Sequence, residues 1–214
     1  MSARSTLVKL ALGLATLVFA AAALAQQPLR QKVEYDLIAP QPTATGDRIE
    51  VIEFFWYGCP HCNNLQAPLE GWLKRKPADV ELRRVPAVFR ESWIPHARVY
   101  YTLEALGEVA RLHQAVYRAI HVEKQSLMTP EAIGAWASRN GIEPARWHAT
   151  YNSPEIDRKV EESKKHTIAY AIEGTPSLIV DGRYLTSSGM TESMPQVITI
   201  LDGLITMARE KRPK

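Results

Sequence analysis

The chain has 214 residues, 26 Lys and Arg against 23 Asp and Glu, and two cysteines, Cys59 and Cys62. A formal charge of +3 is no footprint for nucleic acid, which needs a clustered basic patch, and the basic tail from Arg209 to Lys214 reads as a solvated helix end. No segment after the first 25 residues is long and apolar enough to be transmembrane.

The amino terminus reads as an export signal. Arg4 and Lys9 precede an uncharged apolar run, Leu10 to Ala25, that closes on Ala23, Leu24 and Ala25, a small-x-small pattern with cleavage expected after Ala25. At 16 residues the run is shorter than the ~20 needed to span a bilayer; an uncleaved anchor is the alternative. The mature chain, 26–214, has 189 residues and a formal charge of +1 once Arg4 and Lys9 are removed, and it is long enough for one domain with an insertion or for two small ones. Export places the two thiols in an oxidising compartment, where such a pair does not stay reduced.

Taken in chain order, residues 27–47 are rich in Pro, Gln and Thr and read as an extended arm with one short strand, Val33 to Ile38. Ile49 to Trp56 is nearly continuous in β-branched and aromatic residues, the pattern of a strand covered on both faces in mid-sheet. Gly58 gives a turn, and Pro60 suits the first turn of a helix that runs to about Arg75, with Pro68 as an expected kink. Asp79 to Phe89 reads as the next strand, ended by Pro86. Four helical segments follow without a strand between them: Ile94 to Leu106, Glu108 to Val122, Pro130 to Asn140 after a Thr129 cap, and Pro144 to Tyr151. Ser153 and Pro154 then open a helix to about Ile172, with Ile156, Val160, Thr167 and Ala171 at helical intervals. Strands at Ser177 to Val180 and Arg183 to Thr186 are joined by the hairpin turn Asp181-Gly182, and a last helix runs from Met194 to Arg209.

The strand-turn-helix setting puts Cys59 at a helix start and Cys62 one turn further in. Cys59 is expected to face solvent beyond unpaired backbone N–H groups, with Cys62 packed behind it. Those N–H groups and the positive end of the helix stabilise a thiolate, and His61 adds a donor or a positive charge, which makes Cys59 the nucleophile and Cys62 the resolving thiol. A depressed cysteine pKa favours the dithiol and makes the disulfide a donor; this is the general rule for Cys-X-X-Cys oxidants, applied here. A structural staple is the weaker reading, because so short a loop gives little closure stabilisation. A zinc site needs a second ligand pair, and none is found among His96, His113, His121, His148 and His166. Asn63 stands where c-type haem attachment needs His.

The stretches EFFWYGCPHC, GTPSLIVDGRY and SSGM, in this order around a helical insertion, resemble the periplasmic DsbA family of thiol:disulfide oxidoreductases. The resemblance implies an α/β thioredoxin fold with an inserted helical domain: a signal peptide at 1–25, thioredoxin-like parts at 26–91 and 153–214, and the insertion at 92–152. It implies a periplasmic protein that donates its Cys59–Cys62 disulfide to newly exported, folding polypeptides and is reoxidised by a membrane quinone-linked partner of the DsbB type. No metal or organic cofactor is needed.

Family roles fall on matching positions. Cys59, Pro60, His61 and Cys62 form the redox tetrad. Thr175-Pro176 matches the cis-proline element beside the disulfide, where the Thr175 backbone would pair with an extended substrate strand. Glu53, in the apolar strand leading to Cys59, matches a buried acid that relays a proton to or from Cys62; the alternative is a surface-facing strand residue. Gln66 departs from the acid found one turn after the second cysteine in the family's best-known branch, and Arg84 takes the basic position on the next strand. Trp56, Tyr57, Phe89, Trp93 and Met190 are candidates to line a substrate groove, with the helical block as a lid or a structural cap. Thr175 also occurs before the proline of isomerases and reductases, which keeps those activities as the alternative, although the short arm before Ile49 leaves no room for an isomerase's dimerisation domain and a monomer is expected. A peptide-binding chaperone with an incidental disulfide is the third reading.

Overall fold

All seven residues of the strand Ile49–Phe55 are buried, as its apolar composition requires, and this strand lies inside the sheet of a computed structural model that describes residues 28–212. The export signal expected at residues 1–25, with cleavage after Ala25, lies outside the described residues. The strands are β1 (Asp36–Leu37), β2 (Ile49–Phe55), β3 (Val80–Pro86), β4 (Ser177–Val180) and β5 (Tyr184–Ser187), in the spatial order β1-β5-β4-β2-β3. β2 and β3 are parallel, with Ile49 opposite Val80 and Phe55 opposite Pro86, and the remaining pairings are antiparallel. The helices are α1 (Pro60–Leu73), α2 (Ile94–Ala105), α3 (Val109–His121), α4 (Pro130–Arg139), α5 (Pro144–Tyr151), α6 (Pro154–Ala169) and α7 (Met194–Lys211). The α/β fold with a helical stretch between β3 and β4 is the expected one.

Local chemistry accounts for most boundaries. Thr129 and Ser153 cap α4 and α6 by accepting hydrogen bonds from the N–H groups of Ala132 and Ile156, each with Pro at the first helical position. The β4–β5 turn places Asp181 at φ 53° and Gly182 at φ 66°, the two left-handed residues of a tight hairpin. A side chain on Gly182 would also collide with the Gln41 carbonyl oxygen, 2.2 Å from the position of a Cβ.

Two expectations need correction. The strand expected at Val33 to Ile38 shrinks to Asp36–Leu37, because Lys32 turns the chain at φ 67° and the Glu34 carboxylate accepts from the Arg30 backbone and guanidinium. The helix expected to reach Ile172 ends at Ala169: Ala171 is exposed at φ 50°, and Ser163 takes its place on the buried face with Ile156, Val160 and Thr167. Pro68 lies inside α1, where it was expected.

Apolar burial falls into separate clusters on the faces of the sheet. Val51 packs with Leu65, Leu69, Trp72 and α7, while Ile52 and Phe54 point the other way toward Tyr170 and Ile179. The largest cluster joins Phe55, Tyr57, Cys59 and Cys62 to residues of every helix from α2 to α6, including Val116, Trp136, Trp147 and Ile156. The helical block therefore packs directly against the cysteine pair. Ser163 Oγ and the Pro86 carbonyl are hydrogen-bonded, and Thr167 Oγ1 accepts from the Val88 N–H at 3.3 Å, which fastens α6 to the end of β3.

Candidate active site

Cys59 is the cap residue of α1. Its φ of −87° and ψ of 118° are extended, and its Sγ accepts from the Cys62 N–H at 3.4 Å, the bond that a Ser or Asp cap would make through oxygen. Pro60 follows at the first helical position and is exposed, as is His61. The Cys59 N–H donates to the Trp56 carbonyl at 3.0 Å and closes the turn that contains Gly58. Both cysteines are free thiols.

The two sulfurs sit in opposed environments. Cys59 is held down from 9.0 to about 5, first by a hydrogen bond from the Cys62 thiol, then by the Thr175 side chain and the backbone N–H groups of Cys62 and His61, against the cost of burial. The Thr175 carbonyl oxygen, 3.2 Å from Sγ, accepts a hydrogen bond only from the protonated thiol and opposes this trend. Cys62 is completely buried, and burial pushes its thiol well above the usual range, reinforced by the charge that collects on Cys59. The neighbouring thiol supplies the leading effect on Cys59, where the residue pattern pointed first to the helix terminus. Cys59 is also less open than expected, at 7 % exposure, because Thr175 covers it.

The Thr175–Pro176 peptide is cis. The Thr175 N–H makes no backbone hydrogen bond among the described residues. Beside it lies a cleft of about 470 Å³ lined by His61, Thr175, Pro176, Leu185 and Met190. The apolar groove expected around Cys59 is divided. Met190 lines this cleft, while Trp56 stacks flat on Trp93 at 4.2 Å, with Phe89 edge-on to Trp93, and none of these three lines the cleft. The Trp56 ring lies over Gly58, where an added Cβ would meet it at 2.3 Å. Tyr57, expected in the groove, is completely buried: beyond the end of β2 the chain turns inward, and the ring packs on Phe55 and Tyr117.

Beneath the cysteines a buried polar network spans β2, β3 and α1. Glu53 has no solvent exposure, so the surface-facing alternative for this residue falls. Its two carboxylate oxygens accept from Gln66 Nε2 at 3.0 Å and from Arg84 Nε at 2.9 Å; Gln66 also donates to the Cys62 carbonyl, and Arg84 to Glu70. Burial raises the Glu53 carboxyl above its ordinary value, and the Arg84 guanidinium pulls it part of the way back. Glu70 escaped the sequence reading, and His96, His113 and His121, three histidines close to Tyr57, were weighed there only as zinc ligands. Glu70 lies one turn after Gln66, a helical interval that could have flagged it; the histidines carry no such signal.

Comparison with known proteins decides the family. The chain is 34 % identical over 211 residues to the thiol:disulfide interchange protein DsbA of Pseudomonas aeruginosa, covering 99 % of this chain and 100 % of that protein. The chain belongs to the DsbA family. The DsbA of Burkholderia cepacia is 36 % identical over 175 residues, 81 % of this chain and 82 % of that protein. A family model described as a DSBA-like thioredoxin domain matches residues 84–197, downstream of the cysteine pair, so the near full-length P. aeruginosa match is what brings Cys59 and Cys62 into the DsbA comparison. Among solved structures, P. aeruginosa DsbA superposes with a TM-score of 0.81 at 34 % identity, covering 85 % of this chain and 95 % of that one. Xylella fastidiosa DsbA gives 0.79 at 30 % identity, covering 86 % and 100 %. These matches fix the thioredoxin-like fold of this chain as well as its family.

Proposed function

We propose that this member of the DsbA family donates the Cys59–Cys62 disulfide to thiols of exported, folding proteins in the periplasm, after its segment through Ala25 has directed export and been removed. A substrate thiolate attacks Cys59 Sγ; the Cys59–Cys62 bond breaks, a mixed disulfide forms, and Cys62 leaves with the electron pair and takes up a proton. A second substrate thiolate then attacks the substrate sulfur of the mixed disulfide and expels Cys59 as a thiolate. The substrate loses two electrons and the protein gains them, and a membrane quinone-linked partner of the DsbB type takes them off again. The protein acts as a monomer, with residues 26–91 and 153–214 forming the thioredoxin-like domain and 92–152 the insertion.

Each step draws on a particular group. The stabilised Cys59 anion is a good leaving group, since a low-pKa thiolate is expelled faster. Pro60 fixes the first turn of α1, and His61, exposed beside the cleft, offers a donor to the departing anion. Glu53 is the buried acid that exchanges a proton with Cys62, held in place by Gln66 and Arg84. The Thr175 N–H and carbonyl beside Pro176 pair with the extended substrate, and the half-buried Trp56 meets it on the other side.

The observation that carries this reading is the split between two neighbouring thiols: Cys59 at about 5, capping a helix, and Cys62 buried behind it and pushed up. Titration of the reduced protein by thiolate ultraviolet absorbance, paired with equilibration in glutathione buffers, tests it. A Cys59 midpoint at the ordinary cysteine value would remove the oxidising mechanism.

A further inference from the structure

Two histidines that the redox chemistry does not touch are aimed at one residue next to it. Tyr57 lies two positions before Cys59, and α3 reaches it twice. His113 Nδ1 is 2.8 Å from the Tyr57 hydroxyl, and His121 Nε2 is 2.8 Å from the Tyr57 carbonyl oxygen. The carbonyl can only accept, so His121 carries its proton on Nε2 and donates. His113 is buried among Phe55, Tyr57, Tyr100 and Tyr117 and is kept neutral, its pKa driven well below the usual value by burial.

We propose that His113 and His121 are positioning residues: from two turns of α3 they hold Tyr57 by its side chain and by its main chain, and so fix the turn that sets Cys59 as the cap of α1.

Geometry supports a role beyond filling space. A phenylalanine or leucine at position 113 would pack in this aromatic cluster without burying two ring nitrogens, one of which, Nε2, has no partner among the described residues. The grip ends one residue before Gly58, the flexible point of a turn closed by the Cys59 N–H on Trp56. Beyond that turn, Sγ lies 3.4 Å from the Cys62 N–H and 3.2 Å from the Thr175 carbonyl. Releasing the Tyr57 carbonyl leaves Gly58 free to rotate, and the sulfur then samples positions off the helix cap. The thiolate loses more by this than the disulfide, whose sulfur is tethered to Cys62.

The inference rests on Cys59 being the stabilised thiolate, and the test separates the two claims. Wild type, His121→Leu, His121→Gln and His113→Phe are compared by thiolate absorbance against pH and by equilibration with glutathione. Gln keeps a side-chain N–H donor at position 121; Leu does not. The expected result is a Cys59 midpoint raised by about half a unit to one unit in His121→Leu, which makes the protein roughly three- to tenfold less oxidising. His113→Phe shifts in the same direction, and His121→Gln stays near wild type. If His121→Leu and His113→Phe keep the wild-type midpoint and glutathione equilibrium, whatever happens to their melting temperatures, the histidines only pack and the inference is overturned. An ordinary cysteine midpoint in wild type would instead remove the proposed function itself. Should His121→Leu not fold, the His113→Phe and His121→Gln pair carries the same decision.

Discussion

The opposed environments of the two sulfurs predict a pH-dependent gap between the stabilities of the dithiol and disulfide forms. Cys59 titrates at about 5 in the folded dithiol and near 9.0 when unfolded, so folding lowers its pKa. A lowered pKa stabilises the folded dithiol fully above the unfolded value, and that contribution is lost as pH falls through about 5. Near pH 7 two of the four units are in play, about 2.7 kcal/mol at 1.36 kcal/mol per unit. Water screens the open side of the sulfur, which reduces this to roughly 1.4 kcal/mol, or about 30 mV for a two-electron couple. Cys62, pushed up by burial, is protonated in both states below neutrality and contributes nothing in this window. The disulfide form has no titrating thiol, so other groups cancel to first order when the two forms are compared. Urea unfolding of both forms near pH 7 and near pH 4 gives the measurement, with the dithiol expected to lose about 1.4 kcal/mol more than the disulfide on acidification. An equal loss in both forms, or a larger one in the disulfide, would refute the assignment of the anion to Cys59.

Other consequences are separately measurable. Arg84→Met leaves the buried Glu53 without its cation and should cost about 3 kcal/mol in denaturant unfolding; a loss below about 0.5 kcal/mol would mean that Glu53 is already neutral. Gly58→Ala drives a methyl into the Trp56 ring, so the Trp56–Trp93 stack should open, with a changed tryptophan fluorescence spectrum and a loss of about 1–3 kcal/mol. An unchanged spectrum would contradict that packing. Ser163→Ala removes the hydroxyl bound to the Pro86 carbonyl and to Tyr101, for an expected loss of about 1–2 kcal/mol in thermal unfolding.

Much of the architecture could be read from residue order because local signals and long-range burial agree. Thr129-Pro130 and Ser153-Pro154 start helices, Asp181-Gly182 turns a hairpin, and the apolar Ile49 to Phe55 goes to mid-sheet. The reading fails where a single backbone angle decides. Lys32 and Ala171 adopt left-handed φ values that no composition rule anticipates, and each ends or shortens an element. At the site, the cysteine pair was legible from spacing, and Thr175-Pro176 from the resemblance to the DsbA family. The Glu53, Gln66 and Arg84 trio was visible only as three separate oddities. Its union depends on the β2–β3 register, which sets Glu53 opposite Arg84. Tyr57 was misjudged because strand alternation stops at Phe55, and its partners lie 56 and 64 residues away in α3, where a histidine looks like any other.

The continuous cluster running from Phe55 and Cys62 into the helices has a consequence for how the protein can be divided. The segment from α2 to α5 is the dry wall of the reactive sulfurs as well as an insertion between two strands of the sheet. Excising it would wet the face of α1 that carries Cys62 and remove the burial that raises the pKa of this thiol. Oxidising strength and helical packing are then one property: a cavity opened around Trp147 should register at Cys62 before it registers in the sheet.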